Sequence, residues 1–451
     1  MYIDIRLRLL QVPFAKDKVV GMNGLQSLLN NGLQRSTDKP VPLFQTGKIF
    51  FGKVAKLFAN DLALIDVGGK HITAKLETAL SVGNGYWLRV QKTTPYPTLK
   101  VISETDRIKN GQNVERSIDP LLQQLGLMPS TKHRALVSLF MREGMTFSKA
   151  LLQQIAAWVS DSDITSHLST LRTMLAHNLP LQREIFQSLH RFSASQTSLT
   201  EQLQALMSEL TSVKTSSASL TSLKQQLTAL IQNLTFAKNR SALLPFPVKQ
   251  LIQQLGLHYE NSLLHLLQGN VAVRDFEKQV ATLKPILMAM LKEELPPSIR
   301  ETVQELIQRL TGQQLVLKSN DLILNLLFQL PLPQFLSQKD AFIHFQGKQK
   351  NEQIDADFCR ILFYLDLERL KETIIDVQIQ QRIMTIRVFN DTYELEHDLK
   401  PLEIDLKKRL EALDYELSTV KWFQRSTQTT VPPAYDSFGA VPRYKGVDLK
   451  V

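Results

Sequence analysis

The chain changes its hydrophobic period partway along, and that change limits what it can fold into. Through the middle, apolar residues, chiefly Leu, recur every three or four positions among Gln and Ser, the spacing of one helix face. From Ile361 the period becomes two: Ile361, Phe363, Leu365 and Leu367, then Ile375, Val377 and Ile379, then Met384, Ile386 and Val388. A period of two puts every apolar side chain on one face of a strand. A third pattern precedes both. "GKIFFGKVAKLF", "LALIDVGG", "HITAKLE", "YWLRVQK" and "TLKVI" read as five short strands, with Gly68-Gly69 and "SVGNG" as turns. Five such strands suit a small barrel of the OB or SH3 kind. The expected fold is α+β and multi-domain: a small N-terminal β-barrel-like domain, a long mainly α-helical middle, and a C-terminal antiparallel sheet with one packed helix.

Finer divisions follow from turn and breaker residues. Residues 1–42 read as a weakly ordered lead-in, and 43–103 as the barrel-like domain. Four helical segments over 115–195 suggest a bundle, one of them opening at Ser130 and stopping at Gly144. Over 196–236, leucines at 199, 203, 206 and 210 and again at 220, 223, 227, 230 and 234 fit a helical hairpin or a coiled coil. A second helical block takes 240–320. The phrase "LLQQLGL" at 121–127 returns as "LIQQLGL" at 251–257, each copy with a Gly placed to end a helix. Residues 321–425 hold the C-terminal α/β domain, with Gln381-Arg382 at a hairpin tip and Leu402, Leu406, Leu410 and Leu413 at helical spacing. Residues 426–451, rich in Pro, Ser and Thr, read as a flexible tail.

Composition narrows the class of function. With 451 residues and 43% hydrophobic content, real cores are affordable in each part. The formal net charge of +10 is spread along the chain without a block of basic residues, which describes a solvated surface better than a polyanion arm. Cys359 is the single cysteine, so no intrachain disulfide forms and a reducing compartment is expected. Asp4, Arg6 and Arg8 interrupt any general secretory signal at the N-terminus, and the longest apolar stretch, at 322–332, is too short to span a bilayer. No membrane insertion and a cytoplasmic location are expected; the sequence sets no oligomeric state.

Catalytic chemistry finds little support. The nine histidines are scattered without the spacing of a zinc set. Neither a phosphate-binding Gly-rich loop nor a nucleophile elbow is present, and Cys359 reads as a small core residue beside Phe358. Asp366, Glu368 and Glu372 read as a solvated strand end. No catalytic residue, cofactor or metal is therefore expected, and the chain reads as a non-enzymatic interaction protein.

The C-terminal segment carries a resemblance. "LDLERLKETIIDVQIQQRIMTIRVF", followed by "KKRLEALDYELSTVKW", resembles the C-terminal domain of flagellar hook-length control (FliK) proteins. Leu370 matches that family's turn leucine; Thr373, Ile375 and Val377 match its first alternating strand; Leu410, Leu413 and Tyr415 match its helix exit. Leu367 stands where the family has Pro, and Lys371 where it has Gly. "GKIFFGKVAKLFANDLALIDVGGKHITAKLE", "LTGQQL" and "YKGVDLKV" are similar to phrases of a Gram-positive, uncharacterised FliK-like branch. The resemblance implies a type III secretion specificity switch whose C-terminal domain contacts the cytoplasmic domain of an FlhB-type export-gate protein. The contact would use Leu367, Leu370, Lys371, Thr373, Ile375 and Val377, through the strand edge or the adjacent turn. Classical members are exported by the flagellar apparatus and measure hook length with an extended segment. Patterned helices occupy that place here, which favours a relative that keeps the partner-binding domain without the ruler.

An alternative rests on the barrel. Lys48, Lys53, Lys56 and Arg89 beside Tyr86 and Trp87 have the residue types of a nucleic-acid surface, with phosphates on the bases and nucleobases stacked on the rings.

Overall fold

In a computed structural model of the chain, the described residues are 45–93, 96–104, 114–195, 197–212, 218–235, 248–268, 280–317, 323–331, 340–350, 353–391 and 396–424. The expected lead-in at 1–42 and tail at 426–451 lie outside them. The described residues form two compact units. One runs to Ile164 and takes in Leu181–Ile185; the other comprises Thr165–Pro180 and the chain from Phe186 on. This division falls inside the stretch 115–195 that the sequence treats as one bundle.

The first unit opens with β1 (Ile49–Leu57), β2 (Leu62–Val67), β3 (Lys70–Leu76), β4 (Gly85–Lys92) and β5 (Thr98–Glu104). They close in the order β1-β2-β3-β5-β4, with β4 hydrogen-bonded back to β1. The β3–β5 pair is parallel and the others antiparallel. This is the Greek-key closure of OB-type barrels, and closure removes free edges. Alternation explains the interior: Phe50, Val54, Ala63, Ile65, Ala74, Leu88, Val90 and Leu99 turn inward and are almost wholly buried. Gly68 and Gly69, both at positive φ, turn β2 into β3. A Cβ on Gly68 would lie 2.7 Å from the Gly144 Cα, so the turn needs glycine for the close approach as well as the backbone angle.

Helices α1 (Val114–Gln124), α2 (Thr131–Arg142) and α3 (Lys149–Ala156) complete this unit. The hydroxyls of Ser130 and Ser148 accept the His133 and Leu151 amides, capping α2 and α3. The repeated "QQLGL" phrase proves to be a helix ending at both copies. Gly126 and Gly256 have φ of +65° and +74°, and after α1 the Leu127 and Gly126 amides donate back to Leu122 and Gln123 in a Schellman pattern.

The second unit holds α4 (Ile164–Ala176), α5 (Arg183–Ala194, whose first turn belongs with the other unit), α6 (Leu199–Ser212) and α7 (Ala218–Thr235). Then come α8 (Val248–Leu255), α9 (Tyr259–Leu267), α10 (Leu283–Met290) and α11 (Pro297–Leu317). The leucine series of α6 and α7 enters one core with Leu251, Leu283, Leu287, Val303 and Leu310. Within this chain those leucines therefore pack as a hairpin against neighbouring helices. Gly312, inside "LTGQQL", marks a close crossing: a Cβ there would sit 2.2 Å from the Ser188 carbonyl oxygen.

Six strands follow: β6 (Ile323–Leu330), β7 (Ala341–Lys350), β8 (Gln353–Leu367), β9 (Lys371–Gln380), β10 (Ile383–Phe389) and β11 (Glu416–Phe423). They lie in the order β11-β10-β9-β8-β7-β6. Gln381 and Arg382 both have positive φ, the two-residue turn that matches strand twist in a hairpin. One expectation is corrected. The sheet is mixed, because β10 and β11 are parallel. Helix α12 (Glu396–Glu411) carries the chain back along the sheet before β11 begins, and such a crossover delivers a parallel neighbour.

A buried polar hub ties this sheet to the helices. Asp340, just before β7, accepts the Leu199 amide at the start of α6 on both oxygens, at 3.1 and 3.0 Å. It also pairs with Arg309 of α11 at 2.6 Å and accepts from Gln329 of β6 at 3.0 Å. Arg309 reaches on to the Thr197 carbonyl and the Gln202 side chain. Burial pushes the Asp340 carboxyl up, against the pull of the Arg309 guanidinium and the Leu199 amide. Elsewhere in the unit the wholly buried Lys284 pairs with Glu260 and Gln314, and burial pulls its ammonium down.

Candidate partner-binding surfaces

The C-terminal contact expected from the sequence divides into accessible and inaccessible parts. Strand β9 lies inside the sheet, bonded to β8 on one side and β10 on the other. It therefore offers no free edge, and the strand-edge contact expected over Thr373 and Val377 is overturned. Ile375 and Val377 turn into the apolar cluster with Ile379, Met384, Ile386, Val388 and Leu417. Thr373 is buried, its hydroxyl accepting from the Asn390 side chain at 2.7 Å. Leu367 and Leu370 are half-buried and Lys371 is exposed, so the turn at 368–371 remains open to a partner.

That turn is built with care. Lys371 has φ of +57°, the left-handed region that glycine adopts without cost. Asn390, buried at the end of β10, donates to the Leu370 carbonyl at 2.7 Å and fixes the loop from behind. Asp366 and Glu372 stand opposite each other at this strand end.

Helix α12 departs further from its expected role. Of the stripe Leu402, Leu406, Leu410 and Leu413, Leu410 packs on the sheet cluster, along with Tyr415 just beyond the helix. Leu402 and Ile404 are each 61% exposed and Leu413 is 66% exposed, with Leu406 also on the surface. A helix that leaves most of its apolar stripe in water has packing capacity unused within this chain.

The opposite sheet face sets buried charges among buried apolar side chains such as Phe342, Leu362 and Ile374, a feature missed in the sequence. Asp376 of β9 is fully buried between Arg360 of β8 and Arg387 of β10, the first pair at 2.8 Å. These three charges sit on adjacent strands, so only strand register brings them together. His344 lies on the same face, buried, with no partner for its Nδ1. Burial, aided by the Arg360 charge, holds its imidazole down at about 4, so it is neutral at ordinary pH. Burial pushes the Tyr364 phenol up to about 12.

Other candidates reduce to packing. Burial and the nearby Asp355 raise the Cys359 thiol, which makes it a poor nucleophile. His167 and His190 stack at 4.3 Å with Phe186 alongside, a ring pile and not a convergent ligand pair. Among the described residues no group of three or more His, Cys, Asp or Glu is placed to hold a metal ion, and no helix is long and apolar enough to cross a membrane.

On the barrel, the expected base-stacking pair is corrected. Tyr86 and Trp87 are buried: Tyr86 turns into the barrel core, its hydroxyl taking the Ser81 amide, while Trp87 meets Phe51 and Phe147 edge-on at 5.2 and 6.0 Å. Neither ring can reach a nucleobase. Lys53 and Lys56 are exposed, and Lys48 and Arg89 half-exposed.

No protein-family model matches the chain, and no solved structure matches it. It is similar to the uncharacterized protein YlqG of Bacillus subtilis (strain 168), at 27% identity over 199 residues. The match takes in 44% of this chain and 34% of YlqG, so it spans about a third of that relative's length.

Proposed function

We propose that this chain is a non-enzymatic, FliK-like protein whose C-terminal α/β domain docks the cytoplasmic domain of an FlhB-type export-gate protein and thereby acts on secretion specificity. The observation that carries it is the exposed apolar stripe of Leu402 and Leu406 on α12, continued by Leu413 just past its end. Such a stripe suits a partner that brings its own apolar groove or helix. The left-handed backbone at Lys371, where the resembled family has Gly, supports the same reading. So does the half-buried Leu370 turn, one of the two contacts expected from the sequence and the one left open beside the covered β9.

The test is a pull-down in which the full chain meets a purified FlhB-type cytoplasmic domain, beside Leu370→Asp and Leu402→Asp variants. The native chain retains the domain and both variants lose it, with thermal melting unchanged for Leu402→Asp. Equal retention by all three, or none by the native chain, contradicts the proposal.

A further inference from the structure

One end of the barrel gathers two exposed rings, Phe58 and Tyr96, with basic residues that include Lys56 and Arg89. The β1–β2 turn and the β4–β5 connection reach β3 from opposite sides at neighbouring positions. Leu76 donates its amide to the Asp61 carbonyl and Lys75 donates to the Pro97 carbonyl, each at 2.8 Å. Each loop therefore lies about one strand spacing, ~4.8 Å, from the end of β3. Each also carries an exposed ring: Phe58 is 45% exposed and Tyr96 50%. The Lys56 ammonium already sits 5.4 Å from the Phe58 ring centroid.

Strand register adds a basic wall beside those rings. Lys75 faces Thr98, Thr98 faces Lys92, and one step along Lys100 faces Arg89. Like charges directly opposed on neighbouring strands repel one another. None of Lys56, Lys75, Arg89, Lys92 and Lys100 is paired with a carboxylate among the described residues. The acidic side chains at this end are Asp61 and Glu77, both exposed.

We propose that this end of the barrel binds single-stranded nucleic acid, with bases stacked on Phe58 and Tyr96 and the backbone running over Lys75, Lys92, Lys100 and Arg89. Unpaired bases offer flat faces to two separate rings, whereas a duplex keeps its bases stacked on each other. The basic wall supplies the phosphate attraction that sequence-independent binding requires. The site is independent of the C-terminal docking surface, and either can fail without the other.

Fluorescence anisotropy of the full chain with labelled oligo-dT and oligo-U, each about 12 nucleotides long, and with a dT·dA duplex, tests it across a salt series. Single strands bind more tightly than the duplex, and the logarithm of affinity falls with the logarithm of salt by about 0.7 per phosphate contacted. Phe58→Ala and Tyr96→Ala each lower affinity about tenfold, while Lys75→Ala with Lys100→Ala flattens the salt dependence. Preference for U or for dT identifies RNA or DNA as the ligand. Both rings are exposed, and unchanged thermal melting verifies that the variants keep the barrel. Tyr96→Leu, which keeps apolar surface without a π-face, loses affinity as Tyr96→Ala does. Three results overturn the proposal: no binding at low salt, equal binding of duplex, or loss on the lysine changes alone, which describes a general polyanion surface.

Discussion

The barrel and the C-terminal sheet are both built from short alternating strands, yet they treat their second face differently. The barrel closes on itself, so one alternation fills the interior and the other meets solvent or a flanking helix. The open sheet has an apolar face bearing Val377, Met384 and Val388 and a mixed face where Asp376 and His344 are buried beside Leu362 and Ile374. Its last strand joins only after a helix crossover, and that helix keeps most of its apolar stripe outside. Closure thus makes a strand set self-sufficient, whereas this open sheet holds charged groups in place by mutual pairing and leaves apolar surface of its crossover helix exposed.

The sharpest contrast is energetic. Asp340→Ala leaves Arg309 buried without its carboxylate and frees the Leu199 amide; such losses cost about 3–5 kcal/mol. Lys53→Ala on the barrel wall stays within about 0.5 kcal/mol. Urea unfolding of both variants measures the gap, and a cost under about 1 kcal/mol for Asp340→Ala removes the hub from the account.

Acid separates the two regions next. The His344 imidazole is held near 4 in the folded chain against an ordinary 6.5. Between those values the unfolded chain takes up a proton that the folded chain refuses. Stability present above pH 6.5 is therefore lost as pH falls toward 4, about 3 kcal/mol in all at 1.36 kcal/mol per unit. Unfolding of the sheet at pH 7 and pH 4.5, with His344→Gln as control, reads this: the variant has the flatter profile. A wild-type profile as flat as the variant's contradicts the burial assigned to His344.

Smaller again is Lys371→Gly. Removing a left-handed lysine gains about 0.5–1 kcal/mol after the added freedom of glycine in the unfolded chain is counted. Destabilisation in thermal melts instead means that the lysine side chain makes a contact outweighing its backbone cost.

Much of this architecture was legible because period and turn chemistry are local. The five barrel strands, the Ser130 cap, the Gly126 and Gly256 helix endings and the Gln381-Arg382 tip each depend on a few neighbouring residues. The misjudged features are long-range. Trp87 alternates outward from the barrel, and Phe147, sixty residues on in the chain, packs over it along with Phe51. Strand β9 has the residues of a binding edge, but its place between β8 and β10 is a matter of topology. Asp376 resembles a solvated charge until register places Arg360 and Arg387 beside it. Phe58 and Tyr96 were overlooked because each stands alone in a loop, and β3 alone unites them.

The central claim is that the C-terminal domain docks its partner through the turn at 368–371 and helix α12. Hydrogen exchange of the full chain, with and without an FlhB-type cytoplasmic domain, tests it most directly. The account predicts slowed exchange at 368–371 and along Glu396–Glu411 on addition of the domain, with the barrel unchanged and the effect lost in Leu402→Asp. Protection confined to other segments, or none at saturating partner, contradicts it.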